Sequence, residues 1–222
     1  MKYSIGMTTY NRPEYLKTTL DTLAKSDLTL AKEVLIFDDG SSGNVIQMLK
    51  EFKGKLNVPV KIYRNRKSLG ANLNIAQACD FIFNKNDLAI LIDSDSKFGK
   101  QWLNKINEAV ILCDRENIAW GYISVFNTPN HKTIKNINSF LVQKKDLGSF
   151  GTIIKKEIFK KMTKNENFQK NRASFDWKYG WQCDLDKKLI LCTKNSYIQH
   201  IGLSGTNSNK NSVDIGVNFM EN

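Results

Sequence analysis

The sequence predicts an α/β fold, a doubly wound and mostly parallel sheet with helices on both faces. In the first half of the chain, apolar or alternating runs take turns with amphipathic stretches of helical period, as in successive βα units. The 222 residues, 41% hydrophobic and 25% charged, suffice for one domain with a sizeable core. The longest apolar runs, such as 88–92, are far shorter than the roughly 18 residues of a membrane span, so no transmembrane segment is predicted.

The elements of the first half follow one another regularly. Residues 2–8 form a predicted strand, and Pro13 with Glu14 begins a helix, because proline fits the first helical turn and an acid suits the N-terminal end of the helix dipole. Three further strands are predicted over 34–37, 59–63 and 88–92. Each is followed by a stretch with apolar residues at helical spacing. These helices begin near the capping residues Ser41 and Ser42, near Leu69 and near Gln101.

The second half of the chain is less regular. Strands or strand-like pieces are predicted over 118–126, within 140–155, over 189–193 and over 196–201. Two helices are predicted over 156–162 and 177–188, and a polar loop over 127–138. Residues 202–222 are rich in Gly, Ser and Asn and have little to bury, which predicts a mobile tail.

The charge of the chain is unevenly distributed. The net charge is +11, and residues 131–222 hold 16 of the 33 basic side chains and 8 of the 22 acidic ones, a net of +8. An anionic partner is therefore expected at the second half. The surplus lysines also raise the alternative of a nucleic-acid-binding module, although no RNA- or DNA-binding motif is recognisable.

The start of the chain and its cysteines indicate a reducing compartment. The first ten residues contain no basic segment followed by a long apolar one, so we expect no signal peptide and a cytoplasmic location. The four cysteines have no closely spaced pairs, which favours reduced structural thiols over disulfides or a zinc site. They are Cys79, Cys113, Cys183 and Cys192.

Polar residues follow three of the predicted parallel strands, at the edge where open α/β sheets bind their ligands. They are the segments 8–12, 38–42 and 93–96. Asp93 and Asp95 lie one residue apart after a buried strand and would repel each other unless a positive group lies beside them. A hard divalent cation is the simplest such group. A turn with a helix cap is the alternative, and the triplet alone does not decide between them.

The combination of these segments is more specific than any one of them. Four motifs follow one another in order: Thr9–Leu16, Asp38–Ser42, Asn65–Asn72 and Leu91–Asp95. Together they resemble the nucleotide-sugar-binding half of family two glycosyltransferases of the GT-A fold. The resemblance covers roughly residues 1–100, and it implies one domain over 1–222. That domain would comprise a nucleotide-sugar-binding half over 1–100, an acceptor-binding half over 101–201 and the mobile tail over 202–222.

The resemblance implies roles for the residues at the strand ends. Asp95 would hold a divalent metal that binds the donor diphosphate, Asp93 the ribose, and Asp39 the uracil or ribose. The family commonly has an arginine directly after the glycine of the third loop, where this chain has Ala71, so the basic contact either comes from Arg66 or Lys67 or is missing. The donor-binding residues implied are Thr8, Tyr10, Arg12, Asp39, Arg66, Gly70, Asp93 and Ser94.

The second half resembles the family more loosely. Residues 174–177 resemble its acceptor-side motif, which implies Asp176 as the general base; Asp184 and Asp186 are alternatives, and a helix N-cap is the structural alternative for Asp176. His200 would complete the metal site, and imidazole with carboxylate favours Mn²⁺ over Mg²⁺. A core histidine is the other reading of His200. His131 lies in a polar loop, where we expect it to be solvated.

The resemblance thus implies a metal-dependent inverting glycosyltransferase with a nucleotide-sugar donor, expected to be a UDP-sugar. The acceptor would be a saccharide, a lipid-linked saccharide at the inner face of the membrane, or a DNA base. Residues 202–211 would form a lid over the donor, with Ser204 and Lys210 touching its phosphates, or a plain tail. A sugar-phosphate nucleotidyltransferase is a further alternative, but the Gly-rich signature expected after the first strand is missing.

Overall fold

The computed structural model describes residues 1–203 and 214–222. It confirms the predicted α/β fold. The strands are β1 (Tyr3–Thr9), β2 (Ala31–Asp38), β3 (Val60–Arg64), β4 (Leu88–Asp93), β5 (Ser96–Phe98), β6 (Trp120–Ser124), β7 (Thr133–Asn136), β8 (Leu141–Lys144), β9 (Thr152–Lys155), β10 (Leu189–Thr193) and β11 (Ile198–His200). The helices are α1 (Pro13–Lys25), α2 (Gly43–Lys53), α3 (Ala71–Phe83), α4 (Trp102–Arg115), α5 (Lys156–Lys164), α6 (Glu166–Lys170) and α7 (Phe175–Leu185).

Nine of these strands form one central sheet in the order β3-β2-β1-β4-β9-β6-β10-β8-β7. The first four in this order pair in parallel, and β6 and β10 pair in parallel with each other. Strand β9 lies between β4 and β6 and runs antiparallel to both, so it joins the two halves of the sheet. β5 and β11 form a separate two-stranded antiparallel sheet.

Helices cover both faces of the sheet, as the doubly wound arrangement requires. One face packs against the apolar stripes of α1, α2 and α4, and the other against those of α3, α5 and α7. All four cysteines are buried and free, in agreement with the prediction of structural thiols. No helix within the two described ranges is long and apolar enough to span a membrane.

Three short elements were missing from the sequence prediction. Strand β7 falls in the predicted polar loop, because its four residues are all exposed and give no alternating pattern. Strand β5 has three residues and α6 has five, which is too short for a recognisable period. Helix α7 begins at Phe175, two residues before the predicted start, so Asp176 lies in its first turn.

The C-terminal segment 214–222 is hydrogen-bonded to the body of the domain, which differs from a single mobile tail over 202–222. Val217 N–H donates to the Asn127 carbonyl at 2.7 Å, and Lys100 N–H donates to that of Glu221 at 2.9 Å. The segment passes so close to Gly99 that a Cβ there would collide with the Met220 carbonyl. Ser204 and Lys210, predicted to contact phosphates from a lid, lie outside the described residues.

Tyr179 fastens α7 to the junction between the two halves of the sheet. Its buried hydroxyl accepts a hydrogen bond from Lys155 N–H at 2.8 Å and lies 3.0 Å from the Gly121 carbonyl oxygen. Burial raises the pKa of Tyr179 well above its ordinary value, so the hydroxyl stays protonated and able to donate. One side chain thereby ties α7 to both β9 and the strand β6.

We predict that Tyr179→Phe lowers the free energy of unfolding by about 1–3 kcal/mol, because it leaves a buried N–H without its partner. Urea denaturation measures the change. Tyr63→Phe is the matched control, since the Tyr63 hydroxyl makes no hydrogen bond within the described part of the chain. It should change the free energy by less than about 0.5 kcal/mol. Equal losses in both variants would contradict the bridging role of Tyr179.

Candidate functional site

The three polar strand ends lie side by side at one edge of the sheet. In the parallel register, Thr9 pairs with Asp38 and Thr8 pairs with Asp93. The carboxyl ends of β1, β2 and β4 therefore meet where the sequence predicted a ligand site. The loops after these strands, together with the loop after β3, build the site.

The first loop has an unusual backbone that the second loop holds in place. Asn11 and Arg12 have φ values of 53° and 55°, in the left-handed region that side chains other than glycine disfavour. Asn11 N–H donates to Ser41 Oγ at 2.8 Å, and Ser42 N–H donates to Asn11 Oδ1 at 3.0 Å. Ser42 occupies the N-cap position of α2, but its side chain makes no cap hydrogen bond. Asn11 Oδ1 accepts the N–H of Ser42 itself and not one of the first helical turn, so Ser42 is in the predicted cap position without the cap hydrogen bond.

Asp39 holds the third loop. Its carboxylate is 2% exposed and accepts four hydrogen bonds, from Asn65 Nδ2, Ser68 Oγ, Leu69 N and Gly70 N, at 2.6–2.9 Å. Burial alone would raise the pKa of Asp39, but these hydrogen bonds outweigh it and the pKa lies below its ordinary value. The residue predicted to bind uracil or ribose is thus engaged within the protein, where it shapes the loop.

Asp93 and Asp95 have different surroundings. Asp93 is half-buried and accepts a hydrogen bond from Thr8 Oγ1 at 2.6 Å. Desolvation and the nearby Asp95 charge raise the pKa of Asp93 to about 6. Ser94 between them is 2% exposed, and its main chain is bonded to Thr8 and Thr19. Tyr10 and Arg66 of the predicted donor-binding set are exposed at the same edge.

His200 and Asp95 are brought together, although 104 residues separate them in the chain. The antiparallel pairing of β11 with β5 places His200 beside Ser96, and His200 Nε2 lies 3.3 Å from Asp95 Oδ2. Arg12 Nη1 lies 2.9 Å from the same oxygen. Burial opposes ionisation of both partners, yet the hydrogen bond and opposite charges leave the pKa of Asp95 lowered and that of His200 raised.

Asp95 and His200 are of the types that a divalent metal accepts as ligands. A carboxylate and an imidazole are ligands that Mn²⁺ accepts, and His200 Nδ1 is buried without a hydrogen-bond partner among the described residues. In residues 1–203 and 214–222, no cluster of three or more His, Cys, Asp and Glu side chains is arranged to hold a metal. Of the described side chains, Asp95 and His200 would hold such a metal, and a bound diphosphate would add oxygen ligands.

Asp176 lies at the N-terminal end of α7, beside the N-terminal end of α3. Ser174 is the N-cap residue, and Phe175 N–H donates to Asn72 Oδ1 at 2.9 Å, so Asp176 itself is not the cap. Burial raises the pKa of Tyr122, and the charges of Asp176 and Asp93 both add to this effect. The carboxylates of Asp176 and Asp93 therefore both influence the ionisation of the buried Tyr122 hydroxyl in β6.

The two alternatives to Asp176 lie at the other end of α7. Asp184 is eight residues further along the helix, about 12 Å at 1.5 Å per residue, and it is exposed. Asp186 accepts from Lys161 Nζ at 2.9 Å and from Gln182 Nε2 at 3.1 Å. Neither alternative lies at the edge of the sheet that gathers the other candidate residues.

Several contributors were not predicted from the sequence. Asn11, Asn65, Ser68 and Asn72 brace the loops, and Tyr15 accepts a hydrogen bond from Leu203 N–H at 3.2 Å beside Arg12. Neither spacing nor periodicity marks these residues. His131 was expected to be solvated, but its Nδ1 lies 2.5 Å from Asp146 Oδ1 and it is only partly exposed.

Comparison with known proteins gives a consistent picture. The family model of glycosyl transferase family 2 matches residues 4–177. The poly(ribitol-phosphate) beta-N-acetylglucosaminyltransferase TarS of Staphylococcus aureus is 31% identical over 107 residues, covering 46% of this chain and 18% of its own. The crystal structure of S. aureus TarS 1–349 with UDP-GlcNAc superposes with a TM-score of 0.65 at 18% identity, over 92% of this chain and 60% of that one.

A more distant solved structure has the same fold. The mannosyltransferase PcManGT from Pyrobaculum calidifontis, in complex with GDP-Man and Mn²⁺, superposes with a TM-score of 0.53 at 12% identity. The match covers 72% of this chain and 46% of that chain. This chain therefore spans less than two thirds of each of these similar proteins.

We predict that Asp39→Asn destabilises the protein by about 1–3 kcal/mol at pH 7, because an amide cannot accept the hydrogen bonds of the third loop equally well. The folded pKa of Asp39 is lowered, so its contribution is complete above the unfolded pKa of about 3.9 and is lost as the pH falls through the folded pKa. The unfolding free energies of the wild type and of Asp39→Asn should therefore approach each other as the pH falls. Urea denaturation from pH 7 down to about pH 3 measures both.

Asp87→Asn is the control, because the Asp87 side chain is 93% exposed. Its unfolding free energy should follow that of the wild type throughout. A gap between Asp39→Asn and the wild type that stayed constant down to the lowest pH would contradict the stabilising role of the ionised Asp39.

Proposed function

The chain belongs to glycosyl transferase family 2, and from this premise we propose that it transfers a sugar from a nucleotide-sugar donor to a hydroxyl group of an acceptor. The observation that carries the proposal is the meeting of Asp93, Asp95 and His200 at the carboxyl edge of the parallel strands, with the first turn of α7 bordering the same edge. The nucleotidyltransferase and nucleic-acid-binding alternatives have no support in the family match.

The proposed donor is a UDP-sugar. The TarS structure of the same fold contains UDP-GlcNAc, whereas the mannosyltransferase structure contains GDP-Man, so GDP-sugars are the alternative to test. In this proposal, exposed Tyr10 and Arg66 contact the base and phosphates, Asp93 the ribose, and Thr8, Ser94, Asp39 and Gly70 keep the donor loops in shape. The Thr8 hydrogen bond to Asp93 supports this division of roles.

We further propose that the reaction depends on a divalent metal, Mn²⁺ or Mg²⁺, held by Asp95 and His200. The metal would neutralise charge on the leaving diphosphate. The protein's own contribution is to keep Asp95 ionised, since the hydrogen bond from His200 and the charge of Arg12 hold the pKa of that carboxyl below its usual range despite burial. An ionised carboxylate is the form that binds a metal.

Asp176 is the proposed general base. The acceptor oxygen attacks the anomeric carbon from the face opposite the diphosphate, its proton passes to the Asp176 carboxylate, and the bond from carbon to the diphosphate oxygen breaks. This single displacement inverts the anomeric configuration. The partial burial of Asp176 beside Phe175 limits access of water to the carboxylate.

The acceptor is proposed from charge. The net charge of +8 over residues 131–222 favours an anionic acceptor, such as a charged saccharide or a lipid-linked saccharide, over a neutral one. A DNA base stays the other anionic alternative. We place the reaction in the cytoplasm, including the inner face of the membrane.

The first prediction of this proposal concerns donor binding. Calorimetry should detect UDP binding in the presence of Mn²⁺ and a large loss of affinity when a chelator replaces the metal. A panel of UDP-, GDP- and CMP-sugars should then rank UDP-sugars first. If none of these nucleotides binds with any metal, the proposed function is wrong.

The second prediction separates binding from chemistry. Asp176→Asn should keep UDP affinity and reduce kcat by about 10²- to 10⁴-fold, because it removes the proton acceptor. Asp95→Ala should abolish metal-dependent UDP binding. Asp184→Asn tests the alternative base and should retain transfer. Equal loss of UDP affinity in Asp176→Asn and Asp95→Ala would contradict the assignment, as would loss of transfer in Asp184→Asn alone.

A further inference from the structure

Arg12 lies on the carboxylate oxygen that the proposed function gives to the metal. Its Nη1 is 2.9 Å from Asp95 Oδ2, and His200 Nε2 is 3.3 Å from the same atom. The backbone closes in from another side, since a Cβ on Gly202 would also touch this oxygen. A metal between Asp95 and His200 would therefore meet the guanidinium, and the two cations would repel each other.

The first loop holds Arg12 in this position. Arg12 is the N-cap residue of α1 in a left-handed conformation, and the hydrogen bonds of Asn11 with the second loop fix the turn. Its guanidinium carbon lies 5.8 Å from the centre of the Tyr15 ring. The loop backbone thus adopts a conformation that is unfavourable for arginine, and the side chain it presents faces a buried carboxylate.

The buried carboxylate needs such a partner. The Asp95 side chain is 6% exposed, and an ionised carboxylate out of water is costly unless a positive group or several donors compensate it. Arg12 is 31% exposed, so the guanidinium reaches the site from its solvent side. It can leave the carboxylate without moving the helix that follows it.

We propose that Arg12 is the counter-ion of Asp95 while no donor is bound, and that it moves from this carboxylate to the donor diphosphate when the metal takes its place. This inference rests on the proposed function. A guanidinium fork matches phosphate oxygens as well as it matches a carboxylate, so the arginine exchanges one anionic partner for another. Arg12 is then a positioning residue that decides when Asp95 accepts a metal.

The exchange makes the metal and the nucleotide bind as a pair. A metal arriving alone has to break the ion pair between Arg12 and Asp95, and this cost weakens binding of the metal alone. A diphosphate provides a new partner for Arg12, so it strengthens metal binding, and by linkage the metal strengthens diphosphate binding by the same factor. Removing the guanidinium should reduce this coupling.

The test is Mn²⁺ binding measured without catalysis, from the electron paramagnetic resonance signal of the free ion, with and without UDP. Arg12→Gln should bind Mn²⁺ alone about 5- to 10-fold more tightly than the wild type, and the factor by which UDP strengthens Mn²⁺ binding should fall by a similar amount. Arg12→Gly should behave in the same way, and it suits the left-handed backbone, so a folding defect would not explain the result.

Arg115→Gln is the matched control. Arg115 is also paired with a carboxylate, since its Nη2 lies 3.4 Å from Glu116 Oε1, but it is 70% exposed and ends the 14-residue helix α4, about 20 Å along the helix from its start after β5. Removing this charge should leave Mn²⁺ affinity and the coupling factor within about twofold of the wild type, because surface charges at longer range are screened.

Each outcome decides the inference separately from the proposed function. If the wild type binds UDP only with Mn²⁺ but the Arg12 variants bind Mn²⁺ alone no more tightly, the exchange is overturned and the proposed metal site stands. If Arg115→Gln tightens Mn²⁺ binding as much as Arg12→Gln, general charge repulsion replaces the specific exchange. If UDP binds equally well with chelator, Arg12 is not displaced by a metal and both the exchange and the metal dependence fail.

Discussion

The structure depends on compensating the carboxylates that lie at the carboxyl edge of the sheet. Asp38, Asp39 and Asp95 are each at most 4% exposed, and an ionised carboxylate out of water is costly without partners. Each draws its partners from a different part of the chain. Arg64 and the Ser41 N–H serve Asp38, the third loop serves Asp39, and Arg12 with His200 serves Asp95. Compensation of charge thereby holds the loops together around the site.

The same constraint connects the two halves of the chain. His200 reaches Asp95 because β11 pairs with β5 outside the central sheet, and Ile201 N–H donates to the Asp95 carbonyl. On the other side, Asn72 at the start of α3 accepts from Phe175 N–H at the start of α7. In the central sheet, β9 joins the two halves, since it lies between β4 and β6 and runs antiparallel to both. Residues far apart in sequence therefore converge at one edge without a linker between domains.

The sequence predicted the parts of the fold that local pattern determines. The strands β1 to β4 and their helices are long and periodic, and their polar ends meet because parallel strands share one edge. The partners of the carboxylates were not predictable, because they depend on loop backbone such as the left-handed turn at Asn11 and Arg12. The hydrogen bonds between Asp39 and the third loop were not predicted for the same reason. His200 was identified through the family resemblance, since no local pattern connects it to Asp95.

The two carboxylates of the Asp-x-Asp triplet illustrate how surroundings divide similar groups. Desolvation and its neighbour's charge raise the pKa of Asp93 to about 6, whereas His200 and Arg12 hold that of Asp95 below its ordinary value. Groups of the same type whose pKa values are pushed apart are suited to different tasks. Asp95 stays ionised, as a metal ligand must be. Asp93 has a raised pKa and one oxygen already hydrogen-bonded to Thr8, which suits hydrogen bonding to a hydroxyl group. The different roles proposed for Asp93 and Asp95 thus follow from their different partners, which are Thr8 for Asp93 and Arg12 with His200 for Asp95.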